Sequence, residues 1–381
     1  MHLPYTRTLQ EYQTTLNRYL RQAAKIKAVK AVYQFGSIGA PGLSDIDLAL
    51  IVDERITHKE ISKLSIRNLC ADDQETFLHE PTVVTEQAID ILFETYYIKN
   101  LARIYGENFN LEIQRVPPNS HRRWALTLEY APLYIFCIQN WLAHNNVDVR
   151  SAIPLLRSIR YLLELNSDLK TRFNVEWEKY ADNVNFLCDN WFDFSENESA
   201  IILESVLEKA WKIVANIAWA CDAELINTNQ FTAEREMWKP RSLAYSANER
   251  AVAKKEEPTS WRNIQDGTLF SPIPQSCLLM LDVYRTTGGL LAKFMRSLSS
   301  NCWSSLQPET EFESYLAKRA RLINKHIEFL GRRNVDFGYA VTNFVFRPWL
   351  QKKKSIVARS TRKYTDTLIK IIKILEGVVY H

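Results

Sequence analysis

Asp45 and Asp47 stand two residues apart at the mouth of an apolar run, Ile46–Val52, in a 381-residue chain. If that run is a strand, period-two alternation turns both carboxylates to one face. Two carboxylates held this close repel each other, and a divalent cation is the usual relief. Just upstream, Gly36, Gly39 and Gly42 place three of the chain's ten glycines within seven residues, directly after the apolar stretch Lys30–Phe35. Glycine lets backbone N–H groups approach a phosphate closely, and Ser37 adds a hydroxyl donor. Acidic pair and glycine turn together predict a clamp for a Mg²⁺ (or Mn²⁺) ion and a triphosphate. Asp53 shares the parity of Asp47, but at about 3.3 Å per residue it lies roughly 20 Å further on. It reads as a strand-end cap.

The order Gly36-Ser37, six residues, then Ser44-Asp45-Ile46-Asp47 resembles the GS…SDxD signature of the polymerase-β-like nucleotidyltransferases. The resemblance spans residues 28–106, about a fifth of the chain. It implies that Gly36, Ser37 and Ser44 lie on the nucleotide side and that Asp45 and Asp47 bind two Mg²⁺ ions. It further implies in-line attack of an acceptor hydroxyl on the α-phosphate of a nucleoside triphosphate, ATP being the favoured donor, with pyrophosphate leaving. Such enzymes carry a third carboxylate on a neighbouring strand. Among Asp72, Asp73, Glu75, Glu80, Glu86 and Asp90, the choice falls on Glu80, with Glu75 second, because Pro81 favours an extended backbone before it. His79, adjacent to Glu80 on such a strand, is expected to face the other way and to pack or make a structural hydrogen bond.

These residues need a scaffold. Residues 5–28 carry apolar positions at three-to-four spacing and predict a helix, 57–70 another, Thr76–Thr85 an extended stretch, and Thr85–Tyr105 a long helix stopped at Gly106. Pro117-Pro118-Asn119-Ser120 breaks the pattern, and the later periodic segments (121–143, 149–165, 197–222, 277–298, 309–330, 361–378) are helical. Residues 226–275 show no sustained period and read as a functional loop or a subdivision. The expected architecture is α+β, with a nucleotidyltransferase domain and small mixed sheet over 1–112. A mainly helical region that shapes the acceptor site follows over 113–381.

Composition bounds the rest. Residues 318–381 hold 15 Lys/Arg against 4 Asp/Glu, although the whole chain is only +4. A basic segment on an acidic body suggests a polyanionic partner. Lys352, Lys353, Lys354, Arg359, Arg362 and Lys363, together with Arg122 and Arg123 after the Pro-Pro break, are the candidate nucleic-acid contacts. The acceptor is expected to be RNA, a protein side chain or a small molecule. The competing reading is a non-catalytic nucleotide-binding or nucleic-acid-binding protein that relies on the basic segment. Six scattered cysteines without a CxxC pair argue against a zinc site or a disulfide framework. With no apolar leader and no apolar run of membrane length, the expected setting is the cytoplasm, away from membrane.

Overall fold

The computed structural model describes residues 4–109, 111, 119–144, 147–167, 170–230, 242–246, 252–254, 264–265, 268–272, 274–287 and 310–332. Helix α1 (Leu9–Ala23) starts where Thr8 and Glu11 form a reciprocal capping box. It buries Tyr12, Leu16, Tyr19 and Ala23 at the predicted spacing. Strands β1 (Val29–Phe35) and β2 (Asp47–Val52) run antiparallel, with Phe35 opposite Asp47 at the end that carries the glycine turn. After Asp47, β2 is apolar and buried throughout, as a strand flanked on both edges should be. Its other neighbour, β3 (Thr82–Thr85), is parallel to it. The result is a small mixed sheet ordered β3-β2-β1-β4.

The fourth strand departs from expectation. The helix predicted over Thr85–Tyr105 is only the short α4 (Asp90–Thr95), and Leu101–Gly106 form β4, antiparallel to β1. The open edge of β1 decides the matter, because its unpaired N–H and C=O groups need a partner. Gly106 ends this strand at φ +80°, with its backbone against Lys30 of β1. The helix predicted over 57–70 is likewise shorter, α2 (His58–Lys63), followed by a 3₁₀ turn (Ile66–Asn68) and α3 (Ala71–Gln74).

Beyond residue 119 four helices match closely, α5 (Ser120–His144), α6 (Val149–Leu165), α8 (Glu196–Asn227) and α10 (Glu311–Gly331); the helix expected over 277–298 is described as α9 (Gln275–Thr286), and residues 288–298 lie outside the described residues. One helix escaped the sequence reading, α7 (Lys170–Asn190), which buries Tyr180, Val184 and Leu187. The stretch 226–275, expected to lack regular structure, contributes β5 (Ser242–Ser246), β6 (Val252–Lys254), β7 (Ile264–Gln265) and β8 (Thr268–Pro272). They form a second, antiparallel sheet ordered β6-β5-β8-β7. The segment predicted as a helix over 361–378 lies outside the described residues.

Sheet and helices share one continuous apolar core, running from Tyr12 and Leu50 through Trp141 and Leu156 to Trp211 and Ile327. A buried ionic link ties the last helix to this core: Arg319 of α10 pairs with Glu129 of α5 and donates to the Glu94 carbonyl of α4 at 2.9 and 3.0 Å. No described helix is long and apolar enough to cross a membrane.

Candidate functional site

The glycine turn begins where β1 ends. Gly36 has φ +77°, a conformation that L side chains rarely adopt. A Cβ there would lie 3.0 Å from Asp47 Oδ2, so the bare backbone is what lets the turn touch the carboxylate. Ser37 is exposed, and its hydroxyl has no partner among the described residues. Further along, Leu43 and Ser44 both donate backbone N–H groups to the Ala40 carbonyl, which curls the chain back toward β2. Asp45 precedes the strand, Asp47 opens it, and both are half-buried.

The third member of the cluster is His79. One ligand atom from each of Asp45, Asp47 and His79 lies within 4.8 Å of the others. His79 Nδ1 donates to the Glu80 carbonyl at 2.8 Å, and Nε2 stands 2.7 Å from Asp47 Oδ1. A neutral imidazole has one N–H, yet both of its nitrogens face acceptors here. With Nδ1 committed to the carbonyl, Nε2 is the nitrogen aimed at Asp47. An N–H···O=C bond at the far nitrogen is also how a metal-ligating histidine is oriented. Electrostatics on the other side of the pair agree: burial, then the neighbouring Asp47 charge, push the Asp45 carboxyl up to about 6, against the opposing pull of His79 and Arg150. Two carboxylates and one aimed imidazole form a donor set suited to a divalent cation.

Glu80, the expected third carboxylate, does not join this group. Its side chain turns to the N-terminus of the 3₁₀ turn, where it accepts from the Ser65 hydroxyl at 2.8 Å and the Ile66 N–H at 2.9 Å. The reason is local geometry. Residues 76–81 form no strand, and β3 begins only at Thr82, so strand alternation does not govern His79 and Glu80. Glu75, the second choice, lies at the end of α3, and its carbonyl accepts from Arg150 at 2.6 Å. Asp73 bonds Thr15 and Arg18, and Glu86 pairs with Lys30. Asp53 does close the end of β2, accepting from the Arg55 backbone and side chain.

Ser44 is buried, and its oxygens are spent on the loop. Its hydroxyl accepts from the Ala40 N–H at 3.0 Å and Arg157 Nη1 at 2.5 Å, and its carbonyl accepts from the Tyr12 hydroxyl at 2.6 Å. Ser44 thus fastens the turn and leaves Ser37 as the open hydroxyl. The fastening comes from α6, a helix with no site residue among those expected from sequence. Arg150 of α6 is buried and donates to the carbonyls of Gly42 (2.9 Å), Ser44 (3.1 Å) and Glu75 (2.6 Å). Seven residues on, which is two helical turns, Arg157 reaches the same loop. The signal in the sequence was two arginines seven apart in a helix otherwise rich in Leu and Ile.

Arg122 and Arg123 lie on the inward side of α5 and are not presented to a nucleic acid. Both are buried; Arg122 donates to the Tyr96 carbonyl at 3.3 Å, and Arg123 pairs with Glu224 of α8. Lys352, Lys353, Lys354, Arg359, Arg362 and Lys363 lie outside the described residues. No family model, no curated protein and no solved structure matches this chain.

Proposed function

We propose that this protein is a metal-dependent nucleotidyltransferase that moves a nucleoside monophosphate, AMP from ATP in the favoured case, onto an acceptor hydroxyl. The observation that carries the reading is the meeting of Asp45, Asp47 and His79 within 4.8 Å, against a glycine turn whose Gly36 admits no side chain beside Asp47. The order and spacing of Gly36-Ser37 and Ser44-Asp45-Ile46-Asp47 support the same reading.

Asp45, Asp47 and His79 would hold the cation. Once bound, a divalent cation supplies charge neutralisation for a triphosphate and polarises the phosphoryl group. The protein's own residues do the rest. Gly36 and the open hydroxyl of Ser37 hold phosphate oxygens at the end of β1. The Glu80 carbonyl fixes the ring of His79 so that Nε2 faces the carboxylates. Arg150 pins the carbonyls of Gly42, Ser44 and Glu75, so the turn and the acidic pair keep one relative position. A site held this way loses little entropy when substrate binds.

The test is label transfer. Full-length protein is incubated with α-labelled ATP and the other NTPs, Mn²⁺ or Mg²⁺, and RNA, protein or small-molecule fractions as acceptors. Transfer to one fraction that disappears in Asp45→Asn and Asp47→Asn is the expected result. ATP binding with no transfer to any fraction would favour the non-catalytic nucleotide-binding alternative. Absence of nucleotide binding would overturn the reading.

A further inference from the structure

We infer that Arg157, delivered by α6 from outside the nucleotidyltransferase-like segment, binds the polyphosphate of the substrate. This rests on the nucleotide reading above and adds to it a residue that the GS…SDxD signature does not contain.

Two arginines of α6 meet the glycine loop, and they differ in how their donors are used. Arg150 is consumed: three backbone carbonyls accept from it, and it is buried. Arg157 is half-buried and, among the described residues, makes one hydrogen bond, from Nη1 to the Ser44 hydroxyl. No carboxylate among the described residues pairs with it. A guanidinium carries five N–H donors, so most of this one's capacity is uncommitted. Its charge is partly shielded from water and unneutralised, which is costly unless an anion arrives.

Its position says which anion. The guanidinium lies over the exposed loop beside Gly39, where a Cβ would collide with Nη2. The guanidinium thus lies against the bare backbone of Gly39. Ser37, with its free hydroxyl, is two residues away, and Ser44, which anchors the arginine, precedes Asp45. The site is therefore two-signed, with carboxylates and imidazole on one side and an arginine with glycine N–H groups on the other. A lone carboxylate ligand would not need the acidic half. A metal–polyphosphate needs both, and a planar guanidinium fits phosphate oxygens bidentately. Because Arg157 sits on a helix packed on the sheet, it also makes the helical region part of the nucleotide site.

Calorimetry on the full chain with Mn²⁺ present, using inorganic tripolyphosphate, ATP, AMP and adenosine as probes, tests this. Arg157→Gln is expected to weaken tripolyphosphate and ATP about tenfold or more, AMP less, and adenosine not at all, with Mn²⁺ binding unchanged. ATP and tripolyphosphate affinities within twofold of wild type would overturn the role of Arg157 and leave the nucleotide reading standing. Failure of wild-type protein to bind either polyphosphate would overturn both. Should the variant not fold, phenylglyoxal labelling of wild type decides. Tripolyphosphate protecting Arg157 where adenosine does not supports the inference; equal labelling in both overturns it.

Discussion

Exchanging the roles of two adjacent residues, His79 and Glu80, gives a sharp test of the site. Strand alternation would turn Glu80 toward the acidic pair, and the folded chain turns His79 there instead. Glu80→Gln keeps one acceptor oxygen but removes the charge that receives the Ser65 hydroxyl at 2.8 Å and the Ile66 N–H at 2.9 Å. A hydrogen bond to a charged group contributes about 1.5–3 kcal/mol, and an anion at a helix N-terminus adds a few tenths more. The pairing of Glu80 with Arg67 at 3.5 Å adds little, because Arg67 is largely exposed. Glu80→Gln should therefore cost about 2 kcal/mol of stability and leave metal affinity unchanged. His79→Gln should do the reverse. It removes one of three ligands, and since losing even the partner that orients a ligand costs roughly 10–100-fold in affinity, the loss should be at least that. Stability should fall by about 1 kcal/mol, because the ring is largely buried and a glutamine can replace only part of its two hydrogen bonds. Urea unfolding reads the first quantity, and Mn²⁺ titration followed by electron paramagnetic resonance reads the second. A Glu80→Gln protein that folds normally but no longer binds Mn²⁺, beside a His79→Gln protein that binds it normally, would refute the assignment.

The glycine turn separates site from scaffold. Gly36→Ala places an Ala at φ +77° with its Cβ 3.0 Å from Asp47 Oδ2, so it should cost about 1–2 kcal/mol and also weaken Mn²⁺ binding. Gly42→Ala meets the Tyr5 carbonyl oxygen at 2.5 Å and the Phe192 ring at 2.8 Å, so it should cost more stability and weaken Mn²⁺ binding less than Gly36→Ala does. Equal effects of the two substitutions on Mn²⁺ affinity would contradict the proposed contact between Gly36 and Asp47. A pH dependence follows from His326 in α10, whose imidazole burial pushes down to about 3. The unfolded chain takes up a proton below about 6.5 while the folded one does not, so stability is full above that pH and falls as pH drops toward 3. Between pH 7 and pH 5 the loss is about 2 kcal/mol by this linkage, and His326→Leu should remove that component of the slope in urea unfolding.

Much of this molecule is legible in its residues because the signals are local. The capping box of Thr8 and Glu11, the three-to-four spacing of α1, α5, α6, α8 and α10, and the apolar run of β2 each act through neighbours in sequence. So do the two carboxylates at the mouth of β2 and the glycines before them, whose chemistry and spacing are set within twelve residues of chain. What tertiary structure decided is which groups reach that corner from a distance. Leu101–Gly106 became a strand because the edge of β1 needed hydrogen-bond partners, which no local period announces. Glu80 went to a 3₁₀ N-terminus because the turn after α3 left residues 76–81 irregular, and the same turn swung His79 onto Asp47. Arg150 and Arg157 lie more than a hundred residues from Ser44, and only the packing of α6 on the sheet brings them to the glycine loop. The sequence determined the acidic pair and the turn beside it; the fold chose the imidazole and the guanidinium that join them, because those depend on how separate elements dock.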